Sequence, residues 1–152
     1  MKFIQFDIEQ FYSSISQNLL LKSLKWAEDY AYISDNAKRV ILTSRKSFLY
    51  DGEQLWVKKI NPHFDVSIGA FDGAEVCEIV GLFLLYRLVE EKNIFNKHEI
   101  GLYRDDGLSA IQGNGHTIDK KRKEIISIFK EEGLTITWEV NVPVNCSRKY
   151  SL

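Results

Sequence analysis

The chain has 152 residues, which is enough for one compact domain with a buried core and too few for two. Twenty basic and 21 acidic residues give a net charge of −1, so charge alone does not indicate a nucleic-acid-binding module. The sequence has no apolar run of roughly 18 residues, no signal-peptide core and only two cysteines, so we expect a soluble, intracellular protein with no membrane span, not secreted and without a disulfide framework.

The first half of the chain predicts a strand, two helices and a hairpin. Strand-forming residues fill Lys2 to Ile8. Ser16 is the predicted N-cap of the first helix, and Ser34 that of a second helix over about 36–47, whose Val40 and Ile41 are expected to face inward. The apolar runs 48–50 and 55–57 flank Asp-Gly and predict a hairpin.

The second half predicts a long central helix over 73–91, because this segment is apolar on most of its circumference. Residues 99–112 form two apolar runs folded about 104–107. A helix over about 118–132 with Thr117 as its N-cap and a strand over 134–140 follow. This order predicts an α+β fold over residues 1–141, with helices packed on one face of a mixed, mainly antiparallel sheet, and an irregular tail over 142–152.

Acidic residues stand at the ends of two predicted strands. Asp7 ends an apolar strand, and by spacing alone it is equally well a surface residue. Asp105 and Asp106 lie between apolar runs, where Asp-Gly most often forms a simple hairpin turn. Two adjacent carboxylates repel one another, however, unless a cation lies nearby. If Asp7 and Asp105 occupy adjacent strands, they could bridge two Mg²⁺ ions, an arrangement suited to phosphoryl transfer.

A third segment, 66–75, is a loop bracketed by Gly69 and Gly73 that leads into the long helix. The two glycines would allow a turn and the close approach of a ligand. Asp72 would, in the simpler interpretation, cap that helix.

Taken in order, these three segments resemble the palm domain of reverse transcriptases, which are RNA-directed DNA polymerases. Residues 6–15 resemble the first catalytic motif of that family, and 103–106 resemble its Tyr-x-Asp-Asp motif. The resemblance covers about residues 2–138 and implies a polymerase palm-like (ferredoxin-like) fold. It also implies nucleotidyl transfer from a dNTP to a primer 3′-hydroxyl with two Mg²⁺ ions, or Mn²⁺ in their place.

The resemblance also implies roles for individual residues, each read from the matching motif position. The catalytic residues are Asp7, Asp105 and Asp106, and the metal ligands are Asp7, Ile8 and Asp105. Nucleotide contacts fall on Phe11, Tyr12, Asp72 and Gly73, with Tyr12 packing under the sugar and discriminating against ribonucleotides. Tyr103 and Arg104 would contact the nucleic acid.

The sequence departs from the family at the Gln-Gly loop, where Asp72 and Gly73 stand instead. An acidic side chain at this position would repel the phosphates of a nucleotide. The variant is similar to one in a divergent group of mobile-element reverse transcriptases. Because Asp7 comes so early and the chain ends soon after the last predicted strand, we expect finger and thumb segments to be missing, and the isolated palm to be inactive without them and able to self-associate.

Two other functions fit the same residues. Asp7, Tyr12 and the Ser14-Ile15 pair also resemble the first motif of DNA-templated, family B-like polymerases, although the doubled aspartate favours a reverse transcriptase. A palm-like module that binds nucleic acid or a protein partner without catalysis would account for the acidic loop and the near-neutral charge. If the chain is a polymerase of either kind, we expect its partners to be a primer-template and a dNTP.

Overall fold

The computed structural model describes residues 2–46, 49–59 and 61–140. Phe48 of the predicted hairpin and the predicted tail 142–152 lie outside the described residues. Within them, no helix is long and apolar enough to cross a membrane. The elements in chain order are β1 (Lys2–Ile8), α1 (Phe11–Ser14), α2 (Gln17–Ala27), α3 (Asp35–Thr43), β2 (Leu49–Tyr50), β3 (Leu55–Trp56), α4 (Gly73–Tyr86), a π-helical turn (Arg87–Glu91), β4 (Ile100–Tyr103), β5 (Asp106–Ile111), α5 (Gly115–Glu131) and β6 (Ile136–Val140).

Four of the strands form one sheet in the order β4-β5-β1-β6, and each neighbouring pair is antiparallel. β2 and β3 form a separate two-stranded hairpin. The predicted α+β class is therefore confirmed, and the sheet is antiparallel throughout the described part of the chain. β1 lies at its centre, between the hairpin β4–β5 and the last strand, so residues distant in sequence meet at its ends.

Alternation along β1 separates a core face from an open face. Ile4, Phe6 and Ile8 are buried, whereas Asp7 is exposed. The Phe6 ring packs edge-on against Phe129 of α5 with the ring centroids 5.8 Å apart. The buried residues of α2, α4 and α5 belong to the same core as those of β1. The helices therefore cover one face of the sheet, as predicted, and no described helix packs on the other face, which we call the open face.

The predicted helix over 36–47 begins where expected, because the Ser34 side chain accepts a hydrogen bond from the Ala37 N–H at 3.1 Å. It ends at Thr43, however, and the prediction that Val40 faces inward is wrong, since Val40 is 68 % exposed. Successive helical residues point about 100° apart. Only part of the apolar run 40–42 can therefore face the core, and the helix turns Ile41 and Leu42 towards it.

Two further boundaries differ from the prediction. Helix α5 begins at Gly115, and its N-cap is Asn114, whose side chain accepts a hydrogen bond from the Thr117 N–H at 3.0 Å; Thr117 as N-cap was wrong. The tip of the β4–β5 hairpin is Arg104-Asp105, because Arg104 takes a left-handed conformation with φ of 55° and Asp106 already pairs with Tyr103. The turn therefore presents Asp105 at the end of the hairpin.

Candidate active site

The sheet brings the acidic residues of the two strand ends together. Asp7 stands opposite Asp106 in the antiparallel pairing of β1 with β5. One residue further on, the Ile8 N–H donates a hydrogen bond to the Asp105 carbonyl oxygen at 2.9 Å. Asp7 and Asp105, which are almost a hundred residues apart in sequence, therefore come together at one edge of the sheet, with Asp7 on β1 and Asp105 in the hairpin turn that precedes the adjacent strand β5.

Gly107 explains how the hairpin approaches β1 so closely. A Cβ atom at this position would lie 2.1 Å from Cζ of Phe6, so the ring fills the space that any side chain would take. Phe6 pairs with Gly107 across the two strands. The glycine thus lets the Asp105-Asp106 segment lie against the residue that precedes Asp7.

A cavity of about 430 Å³ opens beside these acids. Its walls come from the end of β1 and helix α1 on one side, from the loop 65–68 on the other, and from the hairpin tip. The lining residues are Asp7, Ile8, Gln10, Phe11, Tyr12, Ser13, Asp65, Val66, Ser67, Ile68 and Asp105. Of the residues predicted for the site, five thus line one cavity. Asp72, Gly73, Tyr103, Arg104 and Asp106 are not among the lining residues.

Helix α1 supplies the aromatic part of the cavity wall. Gln10 enters it in the left-handed region with φ of 48°, and a turn of only four residues follows. Phe11 is buried in the core, while Tyr12 is half-buried. Burial raises the pKa of the Cys77 thiol on α4 to about 12, and the Tyr12 side chain acts weakly in the opposite direction. The Tyr12 side chain therefore lies near the central helix.

The opposite wall carries a charged cluster that the sequence did not reveal. The Lys58 ammonium contacts the Asp65 carboxylate and lies 3.4 Å from the Ser13 carbonyl oxygen, and the Ser67 hydroxyl donates to Asp65. Burial alone would raise the pKa of Asp65, but the hydrogen bonds from Lys58 and Ser67 outweigh it and lower this pKa below its usual range. No motif or spacing in the sequence links Lys58 to Asp65.

The Asp72 carboxylate contacts the buried guanidinium of Arg45, and this contact lowers the pKa of Asp72. Asp72 occupies the N-cap position of α4, but its side chain makes no capping hydrogen bond, so the expectation that it caps the helix is wrong. The competing buried cation is the physical reason. Gly73 is tightly packed, since a Cβ there would lie 3.0 Å from the Ser67 carbonyl oxygen.

Tyr103 and Asp106 lie on the open face of the sheet. Tyr103 is 67 % exposed and pairs with Asp106, which in turn pairs with Asp7. The Arg104 guanidinium lies 5.3 Å from the centroid of the Tyr103 ring, within reach of a cation–π interaction. These residues therefore border the edge of the sheet that carries Asp7 and Asp105, which we call the acidic edge, but they do not line the cavity.

The oxygen ligands at the cavity suit a hard divalent cation that takes only a few of its ligands from the protein. Mg²⁺ usually takes one or two carboxylates and completes its shell with water and substrate phosphates. Asp7 and Asp105 would supply two carboxylates, and the main chain of Ile8 lies between them. Among the described residues, no group of three or more His, Cys, Asp or Glu side chains is gathered as a protein-only metal cage would need. The set thus suits an ion held jointly with a substrate.

Comparison with known proteins supports the architecture. Among solved structures, the chain is similar to an apo telomerase from Candida tropicalis, truncated from the C-terminal domain, with a TM-score of 0.60 and 19 % sequence identity. The match covers 94 % of this chain and 31 % of that one, so the chain spans about a third of the telomerase chain. No protein-family model and no curated protein matches the sequence. At this identity the likeness shows the fold, and the predicted palm-like α+β architecture is confirmed.

Proposed function

We propose that this chain is the palm of a reverse-transcriptase-like polymerase that transfers a nucleotide from a dNTP to a primer 3′-hydroxyl. The observation that carries the proposal is the convergence of Asp7 and Asp105 on one cavity at the edge of a palm-like sheet. Telomerase, the enzyme to which the fold is similar, is related to reverse transcriptases. The likeness supports the polymerase class and gives no support to the mobile-element subtype expected from the sequence.

In this proposal Asp7, Asp105 and the main-chain carbonyl of Ile8 hold two Mg²⁺ ions, or Mn²⁺ in their place. Two bound divalent ions stabilise the attacking and leaving oxygens of phosphoryl transfer. The cavity volume of about 430 Å³ falls within the range of small-molecule sites and could admit the nucleotide's reacting end. Asp106, on the open face beside Asp7, adds negative charge that favours cation binding at this edge without lining the cavity.

The aromatic residues of α1 would position the nucleotide. Tyr12 lines the cavity, and in this proposal it packs under the sugar and excludes a 2′-hydroxyl by contact. Phe11 is buried and supports that wall from the core. Gly73 allows the close packing of the loop that precedes α4, and Tyr103 and Arg104 would meet the primer strand on the open face.

Binding of the primer-template would also need other segments. The net charge of −1 leaves little attraction for a polyanion, and most protein–nucleic-acid affinity comes from neutralising phosphates. In this proposal finger and thumb segments are the partners that supply this attraction, and the chain spans about a third of the telomerase to which it is similar. Self-association of the isolated chain remains a prediction, as does its intracellular location.

Metal binding provides the first test. Titration of the labelled chain with Mn²⁺ should broaden the amide signals of Ile8 and Asp105 before those of residues on the helical side, because paramagnetic broadening falls steeply with distance. Asp7→Asn should weaken this site, whereas Asp29→Asn, an exposed acid outside the site, should not. Equal broadening in the Asp7→Asn variant would contradict the proposed metal site.

Primer extension provides the second test, carried out with the full natural polypeptide that contains this chain. Asp105→Ala should abolish extension and leave the circular dichroism spectrum and melting temperature close to wild type, because Asp105 stands on a hairpin tip. Asp29→Ala is the matched control. Extension on an RNA template supports a reverse transcriptase, and extension on DNA alone supports a DNA-templated polymerase. Full activity of Asp105→Ala would refute the assignment, and primer-template binding without extension would favour a non-catalytic module.

A further inference from the structure

Arg45 is a buried cation whose counter-charge lies in the loop before α4. It follows α3 directly, its side chain is 3 % exposed, and its Nη2 contacts Oδ1 of Asp72. Among the described residues, its Nε and Nη2 find no hydrogen-bond partner of good geometry, so the contact is chiefly a charge interaction. Because an unpaired buried charge is costly, Arg45 and Asp72 constrain each other's positions.

The same residue is connected to the cavity wall through its main chain. The Asp65 N–H donates to the Arg45 carbonyl oxygen at 2.8 Å, and Asp65 and Ser67 both line the cavity. The loop 67–73 runs from that wall to Asp72, and Gly73 packs back against the Ser67 carbonyl oxygen. Arg45 therefore contacts the chain at two points, through Asp65 just before this loop and through Asp72 near its end.

Asp72 on its own would be unfavourable near a nucleotide. Its side chain is 37 % exposed, and it sits in a loop that begins at the cavity. A nucleoside triphosphate brings several negative charges, and Asp7 and Asp105 already place two carboxylates at the cavity. A further uncompensated carboxylate in the adjoining loop would repel the triphosphate, since like charges near a partly desolvated site interact strongly.

We propose that Arg45 is a positioning residue of the nucleotide site: its guanidinium cancels the charge of Asp72 and holds the loop 67–73 so that a nucleoside triphosphate can bind beside it. The inference rests on the proposed function, because it concerns the nucleotide of that reaction. It also accounts for an acidic residue at a loop position where the reverse-transcriptase pattern has a neutral glutamine.

The test compares Arg45→Met, Asp72→Asn, the double variant and Arg45→Lys in primer extension, with Arg39→Met on the exposed part of α3 as control. Arg45→Met should raise the KM for dNTP about tenfold with a much smaller change in kcat, the size expected from one uncompensated, partly screened charge. The KM defect should shrink at high salt. Asp72→Asn in the same chain should restore most of the lost affinity, and Arg45→Lys should retain it.

Two results would overturn the inference. One is an unchanged KM in Arg45→Met accompanied only by a lower melting temperature, which would make Arg45 a packing residue. The other is a rise in KM for Asp72→Asn alone as large as that for Arg45→Met, which would make Asp72 itself a nucleotide ligand. If Arg45→Met does not fold, Asp72→Asn and Arg45→Lys carry the test: a rise of about tenfold in the KM of Asp72→Asn, or a loss of dNTP affinity in Arg45→Lys, would overturn the inference.

Equilibrium binding of a fluorescent dNTP with Ca²⁺, a cation that generally supports nucleotide binding without turnover, separates this inference from the proposed function. Binding that weakens in Arg45→Met and recovers in the double variant, in a protein that never extends a primer, would support the inference and refute the polymerase. If the wild type extends a primer and Arg45→Met changes neither the KM nor the dissociation constant of the dNTP, the polymerase function is supported and the inference about Arg45 is refuted. No nucleotide binding by the wild type would refute both.

Discussion

Replacing Gly107 with alanine should destabilise the fold and disable the acidic edge together. The new Cβ would lie 2.1 to 2.4 Å from three atoms of the Phe6 ring, whereas ordinary contacts of a Cβ begin at 3.4 Å. Either the ring or the strand must therefore move by roughly 1.3 Å. The ring cannot yield easily, because Phe6 is 1 % exposed and packs against Phe129 and Trp138.

The size of the effect follows from this packing. Overfilled cores cost about 1–3 kcal/mol, and a clash with a rigid aromatic ring belongs at the upper end, so we expect a loss of about 3 kcal/mol in the free energy of unfolding. For a chain of this length, that loss lowers the melting temperature on the order of 10 °C. Urea unfolding followed by circular dichroism measures it directly.

Gly101→Ala is the matched control, since Gly101 lies in β4 of the same sheet and a Cβ there would meet nothing within 4 Å. It should change stability by less than about 0.5 kcal/mol. Phe6→Leu should recover part of the loss when combined with Gly107→Ala, because the flat ring is the obstacle. A Gly107→Ala protein as stable as Gly101→Ala would refute the account of how the hairpin approaches β1.

Three other expectations concern stability and titration. Arg87→Met should cost about 3–5 kcal/mol in urea unfolding, because Lys22 is then the one charged partner left to the buried Glu132 carboxylate among the residues that the structure describes. A loss under about 1 kcal/mol would contradict this. Hydrogen bonds from the Gln54 N–H and the Trp56 indole lower the pKa of Asp51 to about 2. The Trp56 indole N–H signal should therefore keep its native shift as the pH falls through 4 and change only near 2, and a midpoint near the usual value of 3.8 would be inconsistent. Cys77, whose pKa burial raises to about 12, should resist a thiol reagent at pH 8 in the native state and react on unfolding, in a variant lacking the other cysteine; rapid native labelling would count against its burial.

Local signals in the sequence were sufficient to predict most of the helices and strands. Ser16 and Ser34 cap α2 and α3 as predicted, because a side-chain oxygen that accepts the N–H three residues later is a short-range device. The hairpin of β2 and β3 likewise follows from its turn residues. Asn114 and Thr117 are both residue types that cap helices, and they lie about one turn apart. Local capping rules do not decide which of the two begins α5.

Side-chain partners distant in sequence were not predictable in this way. The sequence marked Asp72 as a departure and as a possible cap, but its contact with Arg45 depends on how α3 and the loop before α4 are brought together. The same holds for Arg87 with Glu132, which are 45 positions apart. Such pairs have no periodicity or fixed spacing, since only the packed chain brings them within reach.

The sequence by itself determined the class of fold and the positions of the acidic residues, because alternation, helical periodicity and short motifs are properties of neighbouring residues. The tertiary structure decided that Asp7 and Asp105 share one cavity, that Asp106 stands outside it, and that Asp72 faces a buried arginine. Strand order and register determine which of these residues come together. Both depend on contacts between distant parts of the chain, such as the packing of Phe6 against Gly107 and α5.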